Sequence, residues 1–123
     1  MATVNLTSNT FEETIKNNDI VLIDFWAAWC GPCRMFAPVY EKSSEVNTDI
    51  VFAKVDTEDQ QELAGAFQIM SIPTLMAFRD QVLLYSQPGA LPATALASLI
   101  EQIRALDMDE VRLKIAEAEK ADA

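Results

Sequence analysis

The sequence predicts a single α/β domain, and three features of this 123-residue chain support that prediction. Short apolar runs typical of strands alternate with segments that repeat their apolar residues at helical spacing. Residues 21–27 are apolar except for Asp24, a pattern typical of a central strand buried on both faces. Half of the residues are hydrophobic, which is enough for a chain of this length to bury one core without structural metals.

The N-terminal half is predicted to contain two strands and two helices. We predict a short strand at residues 4–6, a polar segment at residues 7–9 that suits a helix N-terminus, and a helix that ends near Asn17. A longer helix follows the central strand and ends near Asn47. Pro38 lies inside this helix and should kink it, because proline lacks a backbone donor.

The next two elements are a strand at residues 50–55 and a short helix. Asp59 and Glu62 have the spacing of a capping box, so we expect this helix to begin there and to end near Phe67. Its position between two strands continues the alternation of strands and helices.

A β-hairpin and a last core helix complete the predicted domain. Residues 74–78 and 82–85 are typical of paired strands, joined by a turn at residues 79–81. Pro92 suits the first position of the following helix. The apolar stripe of that helix consists of Leu96, Leu99, Ile100 and Ile103. The predicted topology is therefore βαβαβ, the short helix, and then ββα.

Charge and composition argue against several classes of partner and location. The chain has 9 basic and 19 acidic residues and a net charge of −10, which opposes binding to nucleic-acid backbones and anionic membranes. Its apolar runs are too short to cross a bilayer. Residues 1–20 lack the basic start and apolar stretch of a secretory signal, so we expect a cytoplasmic protein. We also expect the chain to be a monomer.

Both cysteines of the chain lie in the segment Trp29-Cys30-Gly31-Pro32-Cys33, between the central strand and the following helix. Unpaired N–H groups at a helix N-terminus favour a thiolate, so the Cys30 thiol should have a low pKa. Cys33 lies one turn further along and can attack a mixed disulfide formed at Cys30, which releases the partner in reduced form. The pair is therefore predicted to act as a two-electron redox switch.

Three other roles compete with redox chemistry. A zinc site needs two further ligands, and the chain has no histidine and no third cysteine, so only a dimer could complete it; we expect no metal. A purely structural disulfide between Cys30 and Cys33 would close a ring too small to constrain much of the unfolded chain. The third alternative is two unrelated buried cysteines, which the intervening Gly-Pro in a strand-to-helix turn disfavours.

Motifs along most of the chain resemble those of the thioredoxin family. The matching segments are Asp24-Phe25-Trp26-Ala27, Trp29-Cys30-Gly31-Pro32-Cys33, Pro38, Lys54-Val55-Asp56, Ile72-Pro73-Thr74 and Gly89-Ala90. The resemblance implies a thioredoxin fold, with a mixed sheet of five strands flanked by four helices, and a general protein disulfide reductase activity on oxidised client proteins. It also implies that a flavoprotein, the NADPH-dependent thioredoxin reductase, regenerates the dithiol. We expect no cofactor bound to the chain itself.

Asp24 is the next candidate catalytic residue. A carboxylate inside an apolar strand is costly to bury in its ionised form, so desolvation should raise its pKa. In a chain without histidine it is the best candidate for a general base toward the Cys33 thiol, acting through a water. The alternative is a carboxylate that merely pairs with Lys54 on the next strand. The resemblance favours the catalytic role, with Lys54 as the neighbour that tunes Asp24.

The Ile72-Pro73-Thr74 segment resembles the family's cis-proline loop, which would face the disulfide and pair with an extended substrate through the Ile72 backbone. An ordinary trans turn is the alternative. The resemblance implies a shallow apolar groove for substrates, made by Trp29, Gly31, Pro32, Ile72, Pro73, Gly89 and Ala90. Met35 and Met70 suit either core gaps or the rim of this groove, and the sequence does not decide between them.

Two positions depart from the family pattern. Gln81 stands where the hairpin usually has glycine, so we expect a looser turn there. Pro88 precedes Gly89 and should stiffen the chain next to the groove.

The resemblance ends near Ala105, so we divide the chain into a thioredoxin domain at residues 1–105 and an acidic helical extension at residues 106–123. The extension should form a helix at about residues 107–119, start with capping-box spacing at Asp107, pack weakly and fray toward Ala123. We favour a solubility appendage over a partner-binding arm.

Two other function classes share this fold and are weighed against the reductase. A disulfide oxidase or isomerase would need a signal segment, and such enzymes commonly carry histidine between the cysteines, where this chain has Gly31 and Pro32. A non-catalytic interaction subunit would use the groove only to hold a partner.

Overall fold

The structure is a computed structural model that describes residues 2–122. Within that range, ten elements follow one another along the chain: β1 (Thr3–Asn5), α1 (Phe11–Asn17), β2 (Ile20–Trp26), α2 (Gly31–Val46), β3 (Val51–Asp56), α3 (Gln61–Ala66), β4 (Thr74–Arg79), β5 (Val82–Pro88), α4 (Ala93–Ala105) and α5 (Met108–Asp122). None of these helices is long and apolar enough to cross a membrane.

The five strands form one mixed sheet in the order β1-β3-β2-β4-β5. Strands β1, β3 and β2 run parallel, and β4 runs antiparallel to both β2 and β5. This confirms the predicted mixed five-stranded sheet. Strand β2 lies at the centre, so the residues that follow its carboxyl end sit at the middle of one edge of the sheet.

Alternation along β2 builds the two core layers, because successive side chains of a strand point to opposite faces. Val21, Ile23 and Phe25 pack against α1 and α3 on one face. Ile20 and Leu22 face the other layer, where α2 and α4 contribute buried side chains: Phe36, Tyr40, Leu96, Ile100 and Ile103. By the same alternation, Asp24 belongs to the layer that α2 covers.

Two predicted helix starts are wrong in detail. Helix α3 begins at Gln61, one residue before Glu62, and Gln60 precedes it without a side-chain cap, so Asp59 does not form the predicted capping box. Pro92 is the N-cap residue of α4 and not its first helical residue, because its ψ of 159° is extended. Neither helix start has a side-chain cap.

The β4–β5 turn is tighter than we predicted. Arg79 and Val82 are paired, which leaves only Asp80 and Gln81 in the loop, and both have positive φ, at 50° and 70°. Positive φ at both loop residues is the conformation that matches the twist of a two-residue hairpin. The N–H of Asp80 donates to the carbonyl of Asp19, a contact that holds the turn without glycine.

The extension forms α5, three residues longer at its end than predicted. The carboxylate of Asp107 accepts hydrogen bonds from the N–H groups of Asp109 and Glu110, at 3.0 and 3.3 Å, which confirms the predicted cap. Met108 is buried, whereas Leu113 and Ile115 are exposed. The helix is therefore attached at its first turn and uncovered further on; its predicted fraying at Ala123 lies outside the described residues.

Candidate active site

The two cysteines form a disulfide at the start of α2. Cys30 is the N-cap residue of that helix, and the N–H of Cys33 donates a hydrogen bond of 3.2 Å to Sγ of Cys30. Gly31 and Pro32 open the helix, where a proline loses no hydrogen bond. Since a helix N-terminus favours negative charge, this geometry favours a thiolate at Cys30 in the reduced state.

Exposure does not distinguish the two cysteines in the oxidised state. Cys30 is 4% exposed and Cys33 is 3% exposed, so accessibility does not identify the attacking sulfur. The assignment of Cys30 as the nucleophile depends instead on its cap position and on the loop that it faces.

No group of three His, Cys, Asp or Glu side chains that could hold a metal occurs within residues 2–122.

The proline loop lies directly against Cys30. The Ile72–Pro73 peptide bond is cis, as predicted, and the carbonyl oxygen of Ile72 is 3.6 Å from Sγ of Cys30. Gly89 donates its N–H to the carbonyl of Pro73 at 2.8 Å and has a φ of +111°, a conformation that favours glycine. The fold thus brings together three segments that are distant in sequence.

The predicted groove residues differ in exposure. Trp29 is 67% exposed, and Pro32, Gly89 and Ala90 are also exposed, whereas Gly31 and Ile72 are half-buried and Pro73 is buried. Pro73 therefore contributes backbone contacts and not an exposed apolar surface.

Two polar contacts beside the disulfide had not been predicted. The indole N–H of Trp29 donates to a carboxylate oxygen of Glu58 at 2.6 Å. The guanidinium of Arg34 donates to the carbonyl of Ala28 at 2.8 Å, which ties the turn before Cys30 to α2. Glu58 follows β3, and β2 and β3 are parallel neighbours, so the shared carboxyl edge of the two strands was the signal that could have identified it.

Asp24 is buried without a hydrogen-bond partner for either carboxylate oxygen among the described residues. Burial raises its pKa from 3.8 to about 7, and the positive charge of Lys54 acts in the opposite direction. Lys54 is paired with Asp24 in the β2–β3 register, but its ammonium group lies 4.7 Å above the ring of Trp26. No salt bridge joins the two side chains within residues 2–122, so direct pairing of Asp24 with Lys54 is not what the structure shows.

Asp24 and Cys33 belong to the same layer of the molecule. Cys33, Phe36 and Tyr40 are the buried residues of one face of α2, at helical spacing. Burial raises the pKa of Tyr40 well above its usual range, and the negative charge of Asp24 raises it further. Alternation along β2 places Asp24 on the side of the sheet that α2 covers. A titratable group therefore lies on the α2 side of the sheet, the side to which Cys33 belongs.

The two methionines that the sequence left undecided are on the surface. Met35, two residues after Cys33, is 74% exposed, and Met70, two residues before Ile72, is 91% exposed. Neither fills a gap in the core.

Comparison with known proteins agrees with the geometry. The thioredoxin family model matches residues 2–102. A protein named putative thioredoxin 2 from Streptomyces coelicolor is 61% identical over 116 residues, 94% of this chain and 87% of that protein. The thioredoxin of Bacillus subtilis is 39% identical over 103 residues, 83% of this chain and 98% of that protein.

Solved structures give the same result. A mutant thioredoxin from Halobacterium salinarum has a TM-score of 0.77 at 36% identity, with 85% of this chain and 92% of that chain covered. Plasmodium falciparum thioredoxin has a TM-score of 0.74 at 35% identity, with 81% and 97% covered. With its redox pair at the start of α2, the chain belongs to the thioredoxin family and is a protein disulfide oxidoreductase.

Proposed function

We propose that this chain reduces disulfides in client proteins, with electrons supplied by an NADPH-dependent thioredoxin reductase. The observation that supports the proposal most strongly is the pair of contacts that Sγ of Cys30 makes. Sγ of Cys30 accepts a hydrogen bond at the N-terminus of α2 and lies 3.6 Å from the carbonyl oxygen of Ile72. An extended client segment that pairs with the Ile72 backbone would bring its own disulfide to that sulfur.

The proposed reaction consists of two exchanges. The thiolate of Cys30 attacks one sulfur of the client disulfide, whose S–S bond breaks, and the other client sulfur leaves and takes up a proton. The thiolate of Cys33 then attacks Sγ of Cys30, so that the intramolecular disulfide forms and the first client sulfur leaves as a thiol. Two electrons pass from the chain to the client in each cycle.

Asp24 is proposed as the base that takes the proton of the Cys33 thiol through a water, with Lys54 as the charge that tunes it. A pKa of about 7 suits proton exchange near neutral pH, and the carboxyl lies in the layer of Cys33. Lack of a hydrogen-bond partner among the described residues leaves both carboxylate oxygens available to such a water.

The client groove is proposed to consist of Trp29, Gly31, Pro32, Ile72, Pro73, Gly89 and Ala90. Exposed apolar surface on Trp29 and Pro32 supports this assignment. The hydrogen bond from the N–H of Gly89 to the carbonyl of Pro73 supports it too, because it holds these two segments of the groove together. We further propose that the reductase domain comprises residues 1–105, and that the chain acts as a monomer in the reducing cytoplasm.

A coupled assay tests the electron path. Insulin, NADPH and a bacterial thioredoxin reductase are mixed with the reduced chain, and NADPH consumption and insulin precipitation are followed together. We expect both signals to require the chain, and both to be lost in a Cys30→Ser/Cys33→Ser control. NADPH consumption absent while dithiothreitol still supports insulin reduction would refute the proposed electron donor. Absence of both would instead support an interaction subunit, and faster oxidation of reduced clients than reduction would support an oxidase.

A further inference from the structure

The ammonium group of Lys54 has two possible partners on one face of the sheet. Lys54 lies opposite Asp24 in the register of β2 and β3. Trp26 follows Asp24 by two residues, so both side chains leave β2 on the same face, about 7 Å apart. The ammonium lies 4.7 Å from the centroid of the Trp26 ring and forms no salt bridge with Asp24 within residues 2–122. The cation is therefore on the ring and not on the carboxyl group.

The protonation state of Asp24 explains which partner the cation contacts. Burial raises the pKa of Asp24 to about 7, so at lower pH the carboxyl group is neutral and offers the ammonium no opposite charge. The face of the Trp26 indole attracts a cation in either state of that carboxyl. When Asp24 ionises, its carboxylate attracts the ammonium of Lys54 as well, and that charge lowers the pKa of Asp24. The ring and the ionised carboxyl group thus compete for one cation.

The residue type at position 26 favours the ring in this competition. Nε1 of Trp26 is buried and has no hydrogen-bond partner among the described residues. A buried donor without an acceptor costs free energy, which phenylalanine at this position would avoid. Tryptophan, however, attracts a cation more strongly than phenylalanine does. The contact with Lys54 is what the indole adds.

The other elements packed around Asp24 present no group that titrates near neutral pH in the oxidised chain. On the buried face of α2, Cys33 is held in the disulfide, and burial raises the pKa of Tyr40 well above its usual range. On β4, the residue opposite Asp24 is the apolar Leu75. A change of charge at Asp24 is therefore the event to which the ammonium responds.

One further carboxylate lies near Lys54 but does not bind it. Asp56 is opposite Trp26 in the β2–β3 register, and its carboxylate accepts the N–H of Glu58 at 2.9 Å. No salt bridge joins Asp56 to Lys54 in the part of the chain that the structure describes. On β1, the residue opposite Lys54 is the neutral Asn5.

We propose that Trp26 is a positioning residue for proton exchange at Asp24: its ring holds the ammonium of Lys54 away from the carboxyl group, which therefore stays protonated to higher pH. The ammonium moves toward the carboxylate when Asp24 ionises and returns to the ring when Asp24 is protonated. The consequence for catalysis rests on the proposed role of Asp24 as the base for Cys33. The position of the cation does not.

Titration of the oxidised, full-length chain tests the proposal without a catalytic assay. The carboxyl carbon of Asp24 is followed by NMR from pH 4 to 9 in the wild type, Trp26→Leu, Lys54→Met and the double variant. In Trp26→Leu the released ammonium should favour the carboxylate, so the pKa of Asp24 should fall by about 0.5 to 1 pH unit. Trp26→Phe, which keeps a weaker ring, should give a smaller fall. An unchanged pKa in Trp26→Leu would overturn the proposal.

The double variant separates the effect of the cation from that of water. Trp26→Leu could also lower the pKa of Asp24 by admitting solvent, and that effect would not require Lys54. We expect most of the fall to disappear when Trp26→Leu is made in the Lys54→Met background. An equal fall in both backgrounds would overturn the proposal, because relief of desolvation alone would then explain it.

The unsubstituted chain provides a readout that does not depend on the folding of any variant. The ring current of an indole shifts the resonances of protons above its face upfield. The ε-methylene protons of Lys54 should therefore resonate upfield at low pH and move downfield with the same midpoint as Asp24. Resonances that stay constant through the titration of Asp24 would contradict the movement of the ammonium.

Release of a client from its mixed disulfide supplies the functional readout. In Trp26→Phe, the pH midpoint of the release rate should move to lower pH together with the pKa of Asp24. If the pKa moves as predicted but the midpoint of release does not, Asp24 is not the base for Cys33, and the placement of Lys54 by Trp26 still holds.

Discussion

At the scale of single residues, the carboxyl group of Asp24 is the feature most at odds with stability. It lies in the central strand with neither oxygen hydrogen-bonded to the described residues, and burial raises its pKa to about 7. A buried unpaired polar group costs free energy, and an ionised one costs more than a neutral one. Asp24 lies on the α2 side of the sheet, the side of Cys33, and its cost to stability is consistent with the proposed role in proton transfer.

Replacement of this residue should change stability in a pH-dependent way. Since its folded-state pKa exceeds the unfolded value, the native state binds the extra proton between pH 3.8 and about 7, so stability falls as pH rises through that window. Above both values the penalty is complete, and Asp24→Asn should raise the free energy of unfolding of the oxidised chain there by roughly 2 to 4 kcal/mol. Denaturant midpoints of the two proteins from pH 4 to 9 check this prediction.

A second variant identifies the cause of the shift. Lys54→Met removes the charge that opposes the raised pKa of Asp24, so the fall in stability should extend to higher pH than in the wild type. Asp24→Asn should also slow release of the client from its mixed disulfide, most strongly near neutral pH. An Asp24→Asn protein that is less stable than the wild type at pH 8 would contradict the desolvation account.

At the scale of secondary-structure elements, one side chain connects the sheet to the last two helices. The guanidinium of Arg79, at the end of β4, donates to the carbonyls of Ile103 and Leu106 at 2.8 Å and of Arg104 at 3.3 Å. These carbonyls belong to the C-terminal turn of α4 and to the link before α5, where the helix has no internal donors. Arg79 therefore fixes the direction in which α5 leaves the domain.

Loss of this contact should loosen that end of the molecule. Arg79→Met leaves three carbonyls without their charged donor, and we expect the free energy of unfolding to fall by about 1 to 3 kcal/mol. Faster amide exchange should be confined to the end of α4 and the first turn of α5. Arg79→Lys, which keeps the charge but not the planar fork, should give a smaller loss. Exchange that increases evenly over the whole chain would contradict this local role.

The elements that the sequence predicted well are those determined by local patterns. The apolar run of β2 was sufficient to predict a buried central strand, and the helical spacing of Leu96, Ile100 and Ile103 was sufficient to predict α4. The failures were at boundaries, where tertiary contacts decide. Asp80 has positive φ in the β4–β5 turn and its N–H binds the carbonyl of Asp19, a contact between residues far apart in sequence that no local pattern contains.

The same distinction holds for the site. The cysteine pair and Asp24 were proposed from the residues themselves, and the family resemblance added the proline loop and the tuning role of Lys54. Glu58 and Arg34 were missed, because their contacts with Trp29 and Ala28 depend on side-chain reach. The place of Met70 was undecidable, since an exposed and a gap-filling methionine look alike in sequence.

At the scale of the whole molecule, the chain is a thioredoxin domain with an additional helix. The match with the Streptomyces coelicolor relative spans 94% of the chain and so includes more than half of residues 106–123, whereas the match with the Bacillus subtilis protein spans 83%. The helix is tied to the domain by Met108 and by a pair between Arg112 and Asp80 at 3.5 Å. Its second half is exposed.

A chain that ends after Ala105 should retain its rate of insulin reduction with NADPH and reductase. Its free energy of unfolding should fall by about 1 to 3 kcal/mol, because the burial of Met108 and the contact of Arg79 with Leu106 are lost. Leu113→Ser/Ile115→Ser in the full-length chain is the control, since it changes only the exposed part of α5. Loss of turnover with the reductase but not with dithiothreitol would make α5 a docking element.

The central claim is that Cys30 attacks the client and Cys33 resolves the mixed disulfide, and trapping measures this division directly. Cys33→Ser and Cys30→Ser variants are each mixed in reduced form with oxidised cell extract, and covalent adducts are separated by non-reducing electrophoresis. We predict abundant adducts with Cys33→Ser, all released by dithiothreitol, and almost none with Cys30→Ser. Equal trapping by the two variants, or trapping by Cys30→Ser alone, would contradict the assignment of the nucleophile.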